Sequence, residues 1–395
     1  MIMSKNNGWR IKTLGEVCEI KSGKNQKNVI NPNGKYPIYG SSGIFGYADE
    51  YICEENTTII GRKGTINSPI YVTTKFWNVD TAFGLCAKKD YLNSKFLYYF
   101  CLGFNFKKLD KSTTIPSLSK SDLLSIQLNI PPLETQQAIV SKIEELFSEL
   151  DKGIEDLKTA QQQLKTYRQS VLKWAFEGKL TNENVKDGEL PNGWEMVQIK
   201  DVASTYGGYA FKSGEFKSEG KYQVLRMGNV RPGIVRYDEN PVFLDVVEQS
   251  VLNRSLLNID DVIITQTGTR KKRDYGFTTL ISKNNLLLNQ RIASIRFNET
   301  YSPKFFLYYS WTDLFKDQFF ANETGNVGQG NVGMKAVTET FIPNPTLNEQ
   351  HQIVQEIESR LSVADKMEES IAHSLQQAEA LRQSILKKAF SGELV

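Results

Sequence analysis

The chain has 395 residues, a net charge of +3, and 40% hydrophobic against 24% charged residues. That length exceeds one ordinary core and suits two to four domains, and the composition excludes disordered and fibrous classes. No uninterrupted apolar run approaches the roughly 18 residues needed to cross a bilayer, and MIMSKNNGWR has no apolar signal-peptide centre, so a cytoplasmic protein without a membrane partner is expected.

Taken in chain order, the sequence is written twice. GWRIKTLGEV (8–17) returns as GWEMVQIKDV (193–202), an offset of 185, and TIIGRKGT (58–65) returns as VIITQTGT (262–269), an offset of 204. FLYY (96–99) recurs at 306–309, offset 210, and PLETQQAIV (132–140) recurs as TLNEQHQIV (346–354), offset 214. The last offset holds through WAFEGKL (174–180) and KAFSGEL (388–394). The offsets rise in order, which places 29 extra residues in loops of the second copy. The expected division is a first globular domain at 1–131, a helix at 132–180, a linker at 181–192, a second globular domain at 193–343 and a second helix at 344–395.

The globular segments mix short β-type runs such as TAFGLCA (81–87) and RIASIRF (291–297) with one helix around each FLYY, and Asn, Gly, Ser and Thr punctuate them. They read as two small α/β domains. Trp9 and Trp194 open them in the same context and read as packing residues, as do the FLYY stretches. From Glu134 to Glu177 no proline occurs, and a seven-residue frame places Ile143, Leu150, Leu157, Leu164 and Val171 at position a, with Ile139, Leu146, Gly153, Ala160, Tyr167 and Trp174 at d. The same frame in the second copy gives Ile357, Ala364, Ile371, Ala378 and Ile385 at a, with Ile353, Arg360, Met367, Ser374, Leu381 and Lys388 at d. Helices of about 44 residues, rising about 1.5 Å each, make rods of about 65 Å. The fold class expected is therefore α+β: two α/β domains joined by two long helices that form an antiparallel coiled coil, in a pseudo-twofold duplication. Gly178 and Gly392 read as helix terminators, with Leu180 and Leu394 folding back.

Catalytic chemistry is hard to find. Cys18, Cys53, Cys86 and Cys101 are far apart without a CxxC pair, and His351 and His373 are the only histidines, so buried thiols fit better than zinc or disulfides. Gly328, Gly330 and Gly333 make a formal G-x-G-x-x-G, but no strand precedes and no helix opens on it, so a flexible Gly/Asn/Gln loop is expected. There is no phosphate loop, and neither globular segment has a histidine to serve as a base.

Charge points elsewhere. Residues 1–130 carry a net +7 and 193–342 a net +2, while 131–192 and 343–395 carry −3 each. TQTGTRKKRDYGF (265–277) sets Arg270, Lys271, Lys272 and Arg273 beside Gln266, Thr267 and Thr269, and GRKGT is its shorter counterpart with Arg62, Lys63 and Thr65. Lys and Arg neutralise phosphates, and Gln, Arg and Thr read base edges, so these residues are expected to contact double-stranded DNA. A solvated basic loop is the plainer reading of either run alone; the recurrence favours nucleic acid.

The GW openings, GRKGT, the segment IPSLSKSDLLSIQLNIPPLETQQAIV with its counterpart IPNPTLNEQHQIV, and the AFEGKL and AFSGEL endings resemble the specificity subunit of type I restriction-modification systems, over almost the whole chain. The resemblance implies that each globular domain recognises one part of a split, asymmetric DNA site, that the helices set the gap, and that the chain is not itself an enzyme. It implies two modification (methyltransferase) subunits recruited at the helix ends, through Ala175, Phe176, Leu180, Ala389, Phe390 and Leu394, and restriction subunits joining them. S-adenosylmethionine, ATP and Mg are expected on those partners, and no cofactor or metal on this chain. Ending the chain before Phe390 is accordingly expected to weaken partner assembly. A coiled-coil protein scaffold without DNA binding is the alternative, and an enzyme using an unrecognised carboxylate pair ranks third.

Overall fold

The computed structural model describes residues 8–181, 185, 186, 189–326 and 328–395. Residues 1–7 of the first domain, part of the expected linker (182–184, 187 and 188) and Val327 of the glycine run lie outside them. The chain divides into two units: residues 1–159 with 371–395, and residues 160–370. Each unit is thus a globular domain, the start of its own long helix and the end of the other repeat's long helix.

In the first unit, strands Cys18–Ser22, Ala82–Ala87, Thr57–Gly61 and Ile70–Val72 form an antiparallel sheet in that spatial order. A second sheet orders Gly43–Ala48, Tyr36–Gly40 and Trp77–Asn78. The second unit repeats the plan with Ala203–Gly207, Ile292–Phe297, Val262–Thr265 and Thr278–Leu280, and with Phe243–Leu244, Tyr222–Leu225 and Leu286–Leu288. Thr57–Gly61 and Val262–Thr265, the central strands carrying the repeated TIIG and VIIT runs, are buried throughout, which is why they read as continuous apolar runs rather than alternating ones. A two-stranded ribbon closes each repeat on itself, Arg10–Thr13 with Gln127–Ile130 and Glu195–Gln198 with Phe341–Asn344.

The long helices span Leu133–Phe176 and Leu347–Ser391. Within each unit the two helix segments run antiparallel. In the first, Ile139, Ile143 and Phe147 share a core with Ile385, Leu386 and Ala389, and Arg382 pairs with Asp151. In the second, Val171, Ala175 and Phe176 share a core with Ile353, Val354 and Ile357, and Arg168 pairs with Asp365 at 2.7 Å and Glu368 at 2.9 Å. Arg168 and Arg382 are equivalent under the offset of 214, and so are Asp151 and Asp365. The same cross-helix ion pair is therefore made twice. At the surface such a pair contributes about 1 kcal/mol or less, so its use lies in fixing register.

The heptad frame needs one correction. Position a lies on the seam in both helices, but position d joins it only in the opening turns, at Ile139 and Ile353; further along, Tyr167, Trp174, Met367 and Leu381 are exposed. The seam follows a and e instead, through Phe147, Ile154, Arg168 and Ala175 in the first helix and Leu361, Leu375, Arg382 and Ala389 in the second. A polar residue such as Arg382 qualifies for this seam because its stem packs and its guanidinium lies 4.5 Å from the Phe147 ring centre. Apolarity alone had favoured the outward-facing residues.

The repeated glutamine of the helix openings is a buried clamp. Gln136 accepts from the backbone N–H of Asn93 at 2.8 Å and donates to the carbonyls of Tyr91 and Pro131, both at 2.9 Å. Gln350 accepts from Ser302 N–H at 2.7 Å and donates to Pro345 at 2.9 Å and Thr300 at 3.5 Å. Asn93 and Ser302 cap the helices Ser94–Gly103 and Pro303–Tyr309 that carry FLYY, so each clamp ties a long helix to an aromatic one. These caps also correct the alignment of the aromatic helices. Lys95 pairs with Glu144 and Lys304 with Glu358, and Tyr99 and Tyr308 hydrogen-bond those same carboxylates, so the structural offset there is 209, not 210.

Replacing Gln136 or Gln350 with Leu strands a buried N–H and two carbonyls, and each change is expected to cost about 2–4 kcal/mol. Urea unfolding of the two variants checks this; losses under 1 kcal/mol would show that the amides are incidental.

Candidate nucleic-acid interface

Each domain places its basic loop directly after the central strand, and a second segment pairs with that loop. In the first unit Gly64 donates to the Pro116 carbonyl at 2.9 Å and Leu118 to the Arg62 carbonyl at 2.9 Å, so Pro116–Leu118 lies alongside GRKGT. In the second unit Val332 donates to the Gln266 carbonyl at 2.8 Å, and Thr267 and Gly268 pair with Asn331 and Gly330. Gln266 stands where Arg62 does, and Val332 where Leu118 does. One ledge has been built twice.

The glycine run is accordingly a β-hairpin, Thr324–Asn326 against Gln329–Asn331, rather than a flexible loop. A side chain at Gly330 would strike the Tyr275 hydroxyl and the Glu323 carboxylate beneath it, so this glycine serves close backbone approach. Sequence reading missed both partner segments, because KSTTIPSLS and ETGNVGQGNVGM share no pattern and only the backbone pairing relates them.

An acid organises each ledge. Asp110 accepts from the Ser112 hydroxyl at 2.6 Å, from Ser117 N–H at 3.1 Å and from Ser112 N–H at 3.0 Å, and these bonds hold its pKa below the ordinary value. Glu323, its counterpart, accepts from the Tyr275 hydroxyl and from Arg270 at 2.8 Å, which likewise depress its pKa, Tyr275 contributing most. Asp274 holds the basic loop's turn by accepting from Thr269 N–H at 2.6 Å.

The expected DNA-contacting residues divide accordingly. Lys63, Thr65, Thr269, Lys271 and Lys272 are exposed and make no ion pair among the described residues. Arg62 is exposed, donating to the Asp80 carbonyl at 3.4 Å. Arg270 is exposed but already partnered by Glu323, and Arg273 lies 4.7 Å from the Phe320 ring centre. Gln266 and Thr267 must be withdrawn as base readers. Both are buried, with the Gln266 amide donating to the Val332 carbonyl at 3.0 Å and the Thr267 hydroxyl facing Met227 sulfur at 3.3 Å. They hold the ledge in place.

The residues expected to bind partners are also turned inward. Phe390 packs on Phe96 and Phe100, with ring centres 5.0 and 5.6 Å apart, and Phe176 packs on Phe305 and Tyr309 at 5.1 and 5.2 Å. Ala175 and Ala389 are fully buried, and Leu180 and Leu394 pack against the same cores. The termination is as read: Gly178 and Gly392 take φ of 74° and 77°, and Lys179 and Glu393 donate back to Trp174 and Lys388 at 2.9 Å. The repeated heptapeptide therefore docks each helix end onto the aromatic helix of the other repeat, and cutting before Phe390 removes part of the first unit's core.

Cys18, Cys53, Cys86 and Cys101 are free thiols, and the described residues contain no group of His, Cys, Asp and Glu positioned to hold a metal. No described helix is long and apolar enough to cross a membrane.

Two α/β domains with duplicated ledges, carried on exchanged long helices, define a class of internally duplicated, two-headed helical proteins. The type I restriction modification DNA specificity domain matches residues 6–159 and again 191–377, and the chain belongs to that family. It is 24% identical to the specificity subunit of the Escherichia coli type I restriction enzyme EcoDI, over 98% of this chain and 88% of that one. It is also 24% identical to the Methanocaldococcus jannaschii MjaVIII specificity subunit, over 98% and 93%. Among solved structures, a chain from a study of assembly and conformational transition in a type I system superposes with a TM-score of 0.75 at 18% identity, covering 98% of both chains. The HsdS subunit of Thermoanaerobacter tengcongensis gives 0.65 at 18%, over 98% and 97%. The chain is thus a specificity subunit, a non-catalytic member of its system whose function is DNA recognition.

The Asp110 bonds carry a pH signature. A depressed carboxylate stabilises its surroundings above the unfolded pKa, near 4, and loses that effect as pH falls through the lower folded value. Protection of the Ser112 and Ser117 amides, measured against the intrinsic exchange rate at the same pH, should therefore be full at neutral pH, be lost only well into acid, and be lost already at pH 7 in Asp110→Ala. Equal protection in that variant would remove Asp110 from this role.

Proposed function

We propose that the two ledges are the DNA-contacting surfaces and that each reads one half of a bipartite site. The observation that carries this is a repeated backbone frame presenting unlike side chains: Arg62 and Lys63 beside Pro116–Leu118 in one copy, Gln266 and Thr267 followed by Arg270–Arg273 beside a Gly/Asn hairpin in the other. A shared frame gives both domains the same approach to a duplex, and different side chains give different sequences. The two long helices set the number of unread base pairs between the halves. Two modification subunits join the chain, restriction subunits join them, and S-adenosylmethionine, ATP and Mg act on those partners. With Ala175, Phe176 and Ala389 buried and Phe390, Leu180 and Leu394 packed against the cores, the docking surface falls to exposed residues of the long helices such as Trp174 and Met367.

The reading is tested by purifying the chain with its partner methyltransferase and mapping methylated adenines on genomic DNA. A split, asymmetric motif is expected, and replacing residues 1–130 with the corresponding domain of another family member should change one half only. A contiguous palindrome would overturn the proposal. Phosphate contact is checked separately by salt titration. Lys271→Ala and Lys272→Ala should each reduce the slope of log affinity against log salt by about 0.9. Arg270→Ala should reduce it less, because Glu323 already offsets that charge. Affinity indifferent to salt would favour the protein scaffold.

A further inference from the structure

Beside each ledge stands an exposed apolar turn that neither hydrogen-bonded base reading nor phosphate neutralisation uses. In the first unit strands Tyr36–Gly40 and Gly43–Ala48 meet at Ser41 and Ser42, and Ile44 and Phe45 just beyond are each 51% exposed. This turn abuts the basic loop: a Cβ placed on Gly61 would lie 3.0 Å from that of Ser41. The Phe45 ring leans over Gly40, 3.3 Å from where a Cβ would stand, so it packs on the hairpin's own backbone with half its surface open rather than in the core. In the second unit the hairpin Val230–Arg231 and Ile234–Val235 turns at Pro232 and Gly233, and Ile234 is 58% exposed. Gly233 donates to the Thr278 carbonyl at 2.9 Å, and Pro232 borders the same cavity of about 420 Å³ as Arg273 of the basic loop.

A single exposed isoleucine needs no explanation. Two adjacent apolar side chains at one turn, and a β-branched one at a turn in the other repeat, each next to a basic loop, call for a common occupant. The cations choose it. Arg62, Lys63, Lys271 and Lys272 have no ion-pair partner among the described residues, so a polyanion is the complement, and duplex DNA presents an apolar base stack between two charged rails.

We propose that these turns are wedges: Ile44 with Phe45, and Ile234, enter between base pairs from the minor groove and partly unstack a step while the basic loops grip the flanking phosphates. This rests on the DNA-reading role of the ledges and adds a mode to it. Unstacking bends the duplex, and its cost depends on the step, least at pyrimidine–purine steps such as TA and CA. The wedges thereby contribute specificity at positions no side chain hydrogen-bonds.

The test uses the complete chain with its modification subunits and a duplex carrying the mapped site, labelled at both ends for energy transfer. Wild-type complex should raise the transfer. Ile44→Ser, Phe45→Ser and Ile234→Ser should return it towards that of free DNA and weaken binding about tenfold with an unchanged salt slope, while Phe45→Leu keeps the bend. Arg62→Ala with Lys63→Ala should instead lower the slope, which separates failure of the wedge from failure of DNA contact. Serine variants that melt like wild type yet bend DNA fully would overturn the inference. So would variants that bend DNA but no longer bind the methyltransferase, since the turns would then dock protein.

Discussion

A phenylalanine at the end of each long helix, packed against the aromatic helix of the opposite repeat, is the contact on which the rest depends. Phe176 on Phe305 buries a large ring, contributing about 2–3 kcal/mol, and Phe390, half-buried on Phe96, contributes less from area but adds an edge-to-face contact. Their larger effect is topological. Neither globular domain completes its core from its own repeat alone, so the two repeats cannot be separated without opening both. The buried glutamines fix where each helix starts on its domain, the phenylalanines fix where the other ends, and Arg168 and Arg382 fix the register between.

Frame and surface are divided cleanly between residue types. Residues of the frame recur with their chemistry intact: Gln136 and Gln350, Asp151 and Asp365, Arg168 and Arg382, Glu144 and Glu358. Ledge residues do not, apart from the acid at each base and the Gly-Thr pair after the strand, Gly64–Thr65 and Gly268–Thr269. An amide locked among backbone carbonyls tolerates no exchange, whereas a loop whose backbone pairs with a neighbouring segment can change its side chains without losing that pairing. This is the physical condition for a recogniser that keeps its architecture while its target varies.

Much of this was legible in the sequence. The duplication, the long helices, their glycine stops and the order of segments all rest on local patterns, such as heptads without proline or a helix-ending Gly-x-Leu, that tertiary context seldom overrides. Trp194, buried in the second core, was read as packing, and so was FLYY. What failed, failed for nameable reasons. The seam was assigned to Tyr167, Trp174, Met367 and Leu381 because they are apolar, but Arg168 and Arg382 take the buried line through their stems and ion pairs. Gln266 and Thr267 looked like base readers because their groups can hydrogen-bond, yet a partner segment 66 positions later takes the Gln266 amide. AF-x-G-x-L looked like an outward signature because it repeats, and a residue repeated for packing leaves the same trace. That the ledges' second segments pair with the basic loops left no sequence trace, because backbone pairing requires no shared side chains.

The exchange of helix ends also has a temporal side. Ile385, Leu386, Ala389 and Phe390 belong to the first unit's core, yet they are synthesised after every strand of the second unit. On the ribosome the amino-terminal domain must wait, with Phe96 and Phe100 uncovered, while the whole second domain emerges. In this interval its aromatic helix stays open to solvent, and only the arrival of Ile385, Leu386, Ala389 and Phe390 covers it.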